Sequence, residues 1–490
     1  MWKADWGFLM EMKELAKHSA IYTITSIMAQ AVSLFMVPVF TRNMNQEQFG
    51  QYNLLISVQS LLAIIITLGI YSGMMRFINE FEDKNRIKNV ALTFSVVWGI
   101  LISLFSIIFG TLIYHLIFPD AESNGYYINF IVISSVLLCL ISIYNSYFTM
   151  LFKSRQVSVI NLARVAFMLL YSAYFMIVRK EGLYGALQAQ LFAYASVLSL
   201  LVFYDRKNIQ IVLAWKELKI MLQYGLGLVP GQASAWVYTL IDRYFIKAMI
   251  GLQQVAVYSM GYRVGMMMDP ILLTPFKSVF TSYKYKFYKE VDAPKQIREI
   301  YGYYNFIGWF CILGFSVFAK PAIILLSTPA YVEAFKVVPL IAFSYFLDGL
   351  GEFYILGITI KNKSIIISYI LGIGAVINIL LNIVMIPRLG IMGAALATVL
   401  SYASMNILYF RIGKGYLDLE LKFFEPFKGG IAFLGLYIVY FAAHRIISNI
   451  YLELLFGLFL CLLFLVISIL IGLIPKESVK KGFLLLARKT

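Results

Sequence analysis

Charge is what this 490-residue chain has least of. Only 13% of its residues are Asp, Glu, Lys or Arg, against about 25% in soluble proteins, and no stretch is polar enough to form a soluble domain. A water-soluble globular fold is excluded. Cysteine is equally sparse: Cys139, Cys311 and Cys461 lie far apart in apolar runs, so neither a disulfide framework nor a cysteine-ligated metal is expected. His18, His115 and His444 are just as scattered. No cofactor and no metal site is expected. A GxxxxGK[ST] phosphate loop is missing, which rules out a nucleotide-driven pump of that kind.

What the chain does have is apolar length. Hydrophobic residues make up 61% of it, and mean hydropathy is +0.80. Runs of about 20 residues suffice as helix to cross a hydrocarbon core of about 30 Å. In lipid the backbone must satisfy its own hydrogen bonds, and runs of this length do so as helices. The fold class is an all-α polytopic membrane protein. Fourteen spans are read near 15–40, 51–75, 90–114, 126–150, 157–178, 184–204, 220–249, 256–283, 300–326, 336–358, 365–386, 391–412, 429–447 and 452–474. Ahead of them, residues 1–14 set Trp2, Trp6, Phe8, Leu9 and Met12 beside Lys3 and Lys13. This reads as a helix lying on the membrane surface and not as a cleavable signal.

The net charge of +16 invites a nucleic-acid reading. Counting by side removes it. With fourteen spans, 29 of the 41 Lys and Arg residues fall on the side of the termini, 8 on the other, and 4 inside spans. Cytoplasmic loops carry such an excess. Both termini are therefore expected in the cytoplasm, and no nucleic-acid partner is expected.

An internal repeat sets the architecture. Gly182–Ser196 (GLYGALQAQLFAYAS) matches Gly390–Ser404 (GIMGAALATVLSYAS) at seven of fifteen positions, at an offset of 208. The same offset lays Lys153 on Lys361 and Arg155 on Lys363, and Gln48–Tyr52 resembles Gln254–Tyr258 at 206. Six spans separate the copies, an even number, so they insert in parallel about an axis along the membrane normal. The expected organisation is an N-lobe (15–204, spans 1–6), a cytoplasmic linker (205–219), a C-lobe (220–412, spans 7–12), spans 13 and 14 (429–474) and a basic cytoplasmic tail (475–490). Two lobes about a central cavity suit alternating access.

Four short patterns, each loose alone, occur in a fixed order. Thr41-Arg42 leads to Phe49-Gly50-Gln51-Tyr52, and Asp242-Arg243 is followed by Val257-Tyr258. Pro329–Ala334 (PAYVEA) precedes span 10, and Pro387–Ala395 (PRLGIMGAA) opens span 12. With fourteen spans and two parallel lobes, the chain resembles the multidrug/oligosaccharidyl-lipid/polysaccharide exporter superfamily. Within it, the polysaccharide-repeat-unit flippases of O-antigen and capsule synthesis are most similar. Ala256 departs from the glycine many members have there. The resemblance implies a bacterial inner-membrane protein that is not an enzyme. It implies transfer of an undecaprenyl-diphosphate-linked oligosaccharide from the cytoplasmic to the outer leaflet, with membrane lipid and polysaccharide polymerase or assembly proteins as partners.

Charges inside spans are the candidate site, because each costs about 2.5–3.5 kcal/mol at a helix centre on insertion scales. Arg243, Arg263, Lys277 and Arg164 are the candidate substrate-binding cations. On a continuous helix Lys277 would share the facing of Arg263 some 21 Å further along. Asp242, Asp269, Asp348 and Glu352 are the candidate ion-coupling acids, for H⁺ or Na⁺. Asp348 and Glu352 lie four apart on one helical face. Local pairing of these acids with the arginines, and snorkelling of Lys277 or Arg164 to the interface, stand as alternative roles.

Three rival functions remain. A multidrug exporter of the same superfamily would be expected to carry an acid in span 1, where Ala16–Phe40 has none. A lipid II flippase is a closer cousin. A membrane polysaccharide polymerase or transferase would want a large outer loop or an acidic cytoplasmic metal motif, and the loops are short throughout.

Overall fold

The computed structural model describes residues 36–119, 125–287, 292–444, 446–447 and 449–473. The surface segment 1–14, most of span 1 and the tail 475–490 lie outside the described residues. All regular structure within them is helical, as the apolar runs require. Among the described residues nine helices are long and apolar enough to cross a membrane, ten if Pro329–Lys336 and Val338–Tyr354, bent by 45°, count as one. These are spans 2–6, 9–12 and 14. Span 13 is the shorter helix Phe427–Ala443. The protein is a multi-pass membrane protein.

Spans 7 and 8 are where helix continuity fails, and they are also where the charges lie. Span 7 runs as Trp215–Leu240, stops at Ile241 and resumes as Asp242–Ile250. Span 8 runs as Leu252–Gly265, passes through a turn into a π-helical stretch at Asp269–Leu273, and continues as Thr274–Phe287. Pro270 has no N–H to continue the ladder, and a widened turn accommodates it. Projecting Lys277 onto the face of Arg263 along one straight helix therefore does not hold.

Packing divides the chain into two units, Met1–Trp236 and Val237–Thr490. The division falls inside span 7, beyond the 205–219 linker read from the sequence. The reason is local to the first unit. At Gly225 an added Cβ would stand 2.5 Å from the carbonyl oxygen of Leu68 and 2.7 Å from Gly69. Gly69 itself has φ +68° and caps the start of the second helix of span 2, Ile70–Phe77. Two bare backbones cross there, so the first part of span 7 is held by span 2. Trp236 extends the attachment, donating its indole N–H to the Ser57 carbonyl at 2.9 Å. Gly225→Ala should lower thermal stability in detergent by about 1–3 kcal/mol, the usual range for overpacking. Gly227→Ala, with open space around its Cβ position, should leave it unchanged or slightly raised.

The repeat is visible in the backbone. Phe152 and Asn362 both have φ +55°, just ahead of spans 5 and 11. Lys153 N–H donates to Phe148 at 2.9 Å as Lys363 N–H does to Ile358 at 3.0 Å. Gly182 (φ +57°) and Gly390 (φ +58°) then open spans 6 and 12. The first pair of turns is offset by 210 and the second by 208. Lys153 thus corresponds to Lys363, and the 208 register that laid it on Lys361 is corrected. The N-terminal copy holds two extra residues between its turns, and that is where span 5 widens into a π-helical stretch, Ala173–Val178. An inserted residue is absorbed in a helix in this way.

Each unit has its own core. In the first, Ile66, Ile70, Met74, Ile141 and Tyr144 are fully buried. In the second, Tyr301, Trp309, Phe346 and Phe353 anchor a larger aromatic cluster. Outside the first core, span 3 turns Leu101, Leu104, Phe105, Ile107 and Ile108 outward, each more than half exposed. So large an apolar surface is a lipid face.

Candidate functional site

The charged hairpin of spans 7 and 8 is built around a dry pair. Asp242 starts the second helix of span 7, with 1% exposure, and Arg243 follows with 7%. The Asp242 carboxylate accepts the Arg243 backbone N–H at 2.8 Å and the Tyr258 hydroxyl from span 8. The Arg243 guanidinium stands 3.8 Å from that carboxylate and donates to the Thr239 carbonyl at 3.2 Å and the Ser259 hydroxyl at 3.4 Å. It also lies over the Tyr262 ring, 4.8 Å from its centroid. Removing either charge would leave the other buried without its counter-charge. Of the two readings of Arg243, this arrangement contains the local partner.

Arg263, further along span 8, is half-buried. Asp269, in the π-helical stretch, accepts the Thr274 hydroxyl at 3.1 Å and sits within electrostatic reach of Lys277 and Asp348.

Lys277, Asp348 and Glu352 are brought together, as the helical spacing of the two acids allows. Lys277 Nζ is 2.9 Å from Asp348 and 3.6 Å from Glu352. A fourth member joins them: Lys284 Nζ lies 3.0 Å from the other Glu352 oxygen. Its side chain is 4% exposed, whereas Lys277 and Asp348 are each about a third exposed. By position Lys284 looks like one of the loop lysines that follow span 8, but one further turn of helix carries it inside. The ladder is neutral, two cations against two acids, with its open end at Lys277–Asp348.

Tyrosines surround the open end. Tyr238 meets Tyr402 edge-on at 5.4 Å, and Tyr262 meets Tyr345 at 6.4 Å. Tyr304 donates to the Phe346 carbonyl at 3.0 Å and covers Gly349, whose missing Cβ leaves room for the phenol. Tyr238, Tyr262 and Tyr345 lie in spans 7, 8 and 10 with the intramembrane charges, which is the signal the sequence offers for them; Tyr304 and Tyr402, in spans 9 and 12, carry no such signal.

Arg164 belongs to the other unit, half-buried in span 5, with no carboxylate partner among the described residues. A cavity of about 390 Å³ opens nearby between spans 4, 5 and 6, lined by Phe148, Val159, Leu200 and Tyr204 with Arg155 at its edge. It contains none of the candidate site residues.

The profile of a family described as polysaccharide biosynthesis proteins matches residues 15–280, more than half the chain. The chain belongs to this family. No curated protein matches it in sequence. Among solved structures, this polysaccharide biosynthesis protein is similar to the lipid II flippase MurJ in an inward closed conformation. The TM-score is 0.73 at 13% identity, over 92% of this chain and 98% of that one. It is also similar to a multidrug resistance MATE family transporter of the MOP superfamily. The inward-facing form gives 0.67 at 15% identity over 80% and 95% of the two chains. The outward-facing form gives 0.59 at 14% identity over 82% and 96%. At such identities the likeness is one of fold.

Proposed function

We propose that this polysaccharide biosynthesis protein carries a polyprenyl-diphosphate-linked oligosaccharide repeat unit from the cytoplasmic to the outer leaflet of a bacterial inner membrane. It does so by alternating access, with both termini in the cytoplasm, for O-antigen or capsule assembly. The family match over residues 15–280 carries this reading. A fold shared with a lipid II flippase and with multidrug transporters supports it. So does the chemistry of the load: a diphosphate and sugars without partners in hydrocarbon face a prohibitive desolvation cost.

The open end of the ladder supplies a way to hold the phosphate and let it go. A carboxylate and a phosphate compete for the same ammonium. While Asp348 is ionised, Lys277 belongs to it. A proton on Asp348 removes the competitor and hands Lys277 to the diphosphate, and loss of that proton takes it back. The glycan lies along the tyrosines, whose apolar faces and hydroxyls suit sugar rings. Arg243 and Arg263 serve the same substrate from the neighbouring part of the hairpin, and Asp242 and Glu352 hold cations in place while they do.

Proteoliposomes containing a short-chain polyprenyl-diphosphate oligosaccharide test this, with lectin accessibility reporting movement between leaflets. The protein should accelerate movement of this lipid and not of lipid II; the reverse preference would replace the substrate. Lys277→Asp should abolish transport. The exchange variant, Lys277→Asp with Asp348→Lys, should recover stability but not transport. Recovery of transport as well would make the pair a structural clasp and remove Lys277 from the substrate.

A further inference from the structure

A second buried charge cluster lies far along the chain, at the ends of spans 9, 13 and 14. Lys320 comes from span 9, Tyr440 and His444 from span 13, and Glu453 from the first turn of span 14. Glu453 is 2% exposed. One of its oxygens accepts the Tyr440 hydroxyl at 2.8 Å and faces His444 Nδ1 at 2.9 Å. The other lies 3.5 Å from Lys320 Nζ. Lys320 Nζ is in turn 3.2 Å from the same His444 nitrogen. Phe335, from the bent start of span 10, closes the histidine ring at 5.5 Å. The charges on that segment, Glu333 and Lys336, pair with each other at the surface. Arg445, next in the chain, lies outside the described residues.

The contacts of Nδ1 are incompatible with one another. A ring nitrogen carries either a proton or a lone pair. With a lone pair, Nδ1 accepts from Lys320 and sets a bare nitrogen against a carboxylate oxygen. With a proton, it donates to Glu453 and sets N–H against an ammonium. An imidazolium makes the second conflict a charge repulsion at 3.2 Å, in surroundings that screen it poorly. Glu453 is too buried to move, and His444 is stacked on Tyr440 at 6.0 Å. Lys320 is the member with an exit, its side chain being 20% exposed.

We propose that His444 and Glu453 form a proton-binding site from which an arriving proton displaces Lys320. Two cations, a proton and a lysine ammonium, compete for one buried carboxylate. Without the proton, Lys320 ties span 9 to the hairpin of spans 13 and 14. With it, the hairpin is closed on itself by the His444–Glu453 bond and released from span 9. The charge bias of the loops turns this end of the spans outward, so the site reads the pH of the outer medium. Histidine is the side chain suited to report between about pH 5 and 8. The site is independent of the transport reading, since none of its members belongs to the substrate ladder.

The chain has three histidines, so nitrogen-15 labelling of histidine in the full-length protein gives resolvable signals, and loss of one in His444→Gln assigns it. The His444 signal should move as the pH is lowered, marking uptake of a proton by its ring. Glu453→Gln should weaken that uptake about tenfold, moving the midpoint down by one pH unit. Lys320→Met should do the opposite, strengthening uptake about tenfold by removing the competitor. A midpoint that is unchanged or lower in Lys320→Met overturns the displacement. In the unmutated protein, histidine nitrogens with constant shifts from pH 5 to 8 overturn the site itself.

Discussion

Arg243→Ala is expected to reduce transport at least a hundredfold and to destabilise the second unit at the same time. Both effects come from one arrangement. The guanidinium is 7% exposed and is the counter-charge of Asp242, which is 1% exposed. Breaking a buried pair by removing one partner costs about 3–5 kcal/mol, because the remaining charge has no compensation. The Tyr258 hydroxyl bonded to Asp242 offsets only part of that. Loss of transport in this variant alone would therefore say little about substrate. The informative protein is the double variant Asp242→Asn with Arg243→Met, in which no charge is left stranded. Its melting temperature in detergent should return most of the way to that of the unmutated protein, while lectin-detected transport stays absent. If transport returns with stability, Arg243 is a strut and nothing more.

The second large effect is expected in the other unit, from a pair that charge counting passed over. Lys88 Nζ is bonded to Asp205, and the two side chains are 0% and 7% exposed. The ammonium also lies 5.7 Å from the Tyr144 ring centre and 5.1 Å from that of Tyr147. Asn208 donates to the second Asp205 oxygen at 3.1 Å. Lys88→Met should lower stability by about 3–5 kcal/mol for the reason given above. Lys88→Met with Asp205→Leu should sit near the unmutated value, since apolar replacement of a whole buried pair is often neutral. A thermal-denaturation cycle over the four proteins reads the coupling. Additive effects would show that Lys88 and Asp205 do not depend on each other.

Why the sequence reading missed that pair is instructive. Lys88 stands among Lys84 and Arg86, which follow Asp83 at the start of a helix, and by position all three look like loop charges. The helix Lys84–Ile117 opens with Asn85 and Arg86 exposed and is buried from Ile87 to Leu92, so one step along it carries Lys88 from the loop side into the protein. Charge counts by loop are blind to that. Lys284 failed in the same way, at the other end of span 8. The helical class, the repeat and the order of the spans were legible because apolar length and periodic matching are properties of the chain alone. Asp348 and Glu352 were legible as a couple because they are neighbours on one helix. Their lysines were not, since nothing in the sequence says which face of span 8 meets span 10. The interruption at Asp269–Leu273 removed the one regularity that could have told. His444 reads in the sequence only as one of three scattered histidines, and nothing there links it to Lys320 and Glu453, which meet it in the fold.

The two extra residues in the N-terminal copy also change who corresponds to whom. Ahead of the π-helical stretch the copies align at 210, and by that register the counterpart of Arg164 is Gly374. A Cβ at Gly374 would lie 2.3 Å from the Met405 sulfur of span 12, so any side chain there must displace that methionine. An ungapped comparison of the halves would set Arg164 against Gly372 instead, where there is open space, and would suggest a cation that the other half had merely lost. The widened turn points elsewhere: one half packs Met405 against this spot and the other keeps an arginine there, so the two halves are not interchangeable parts.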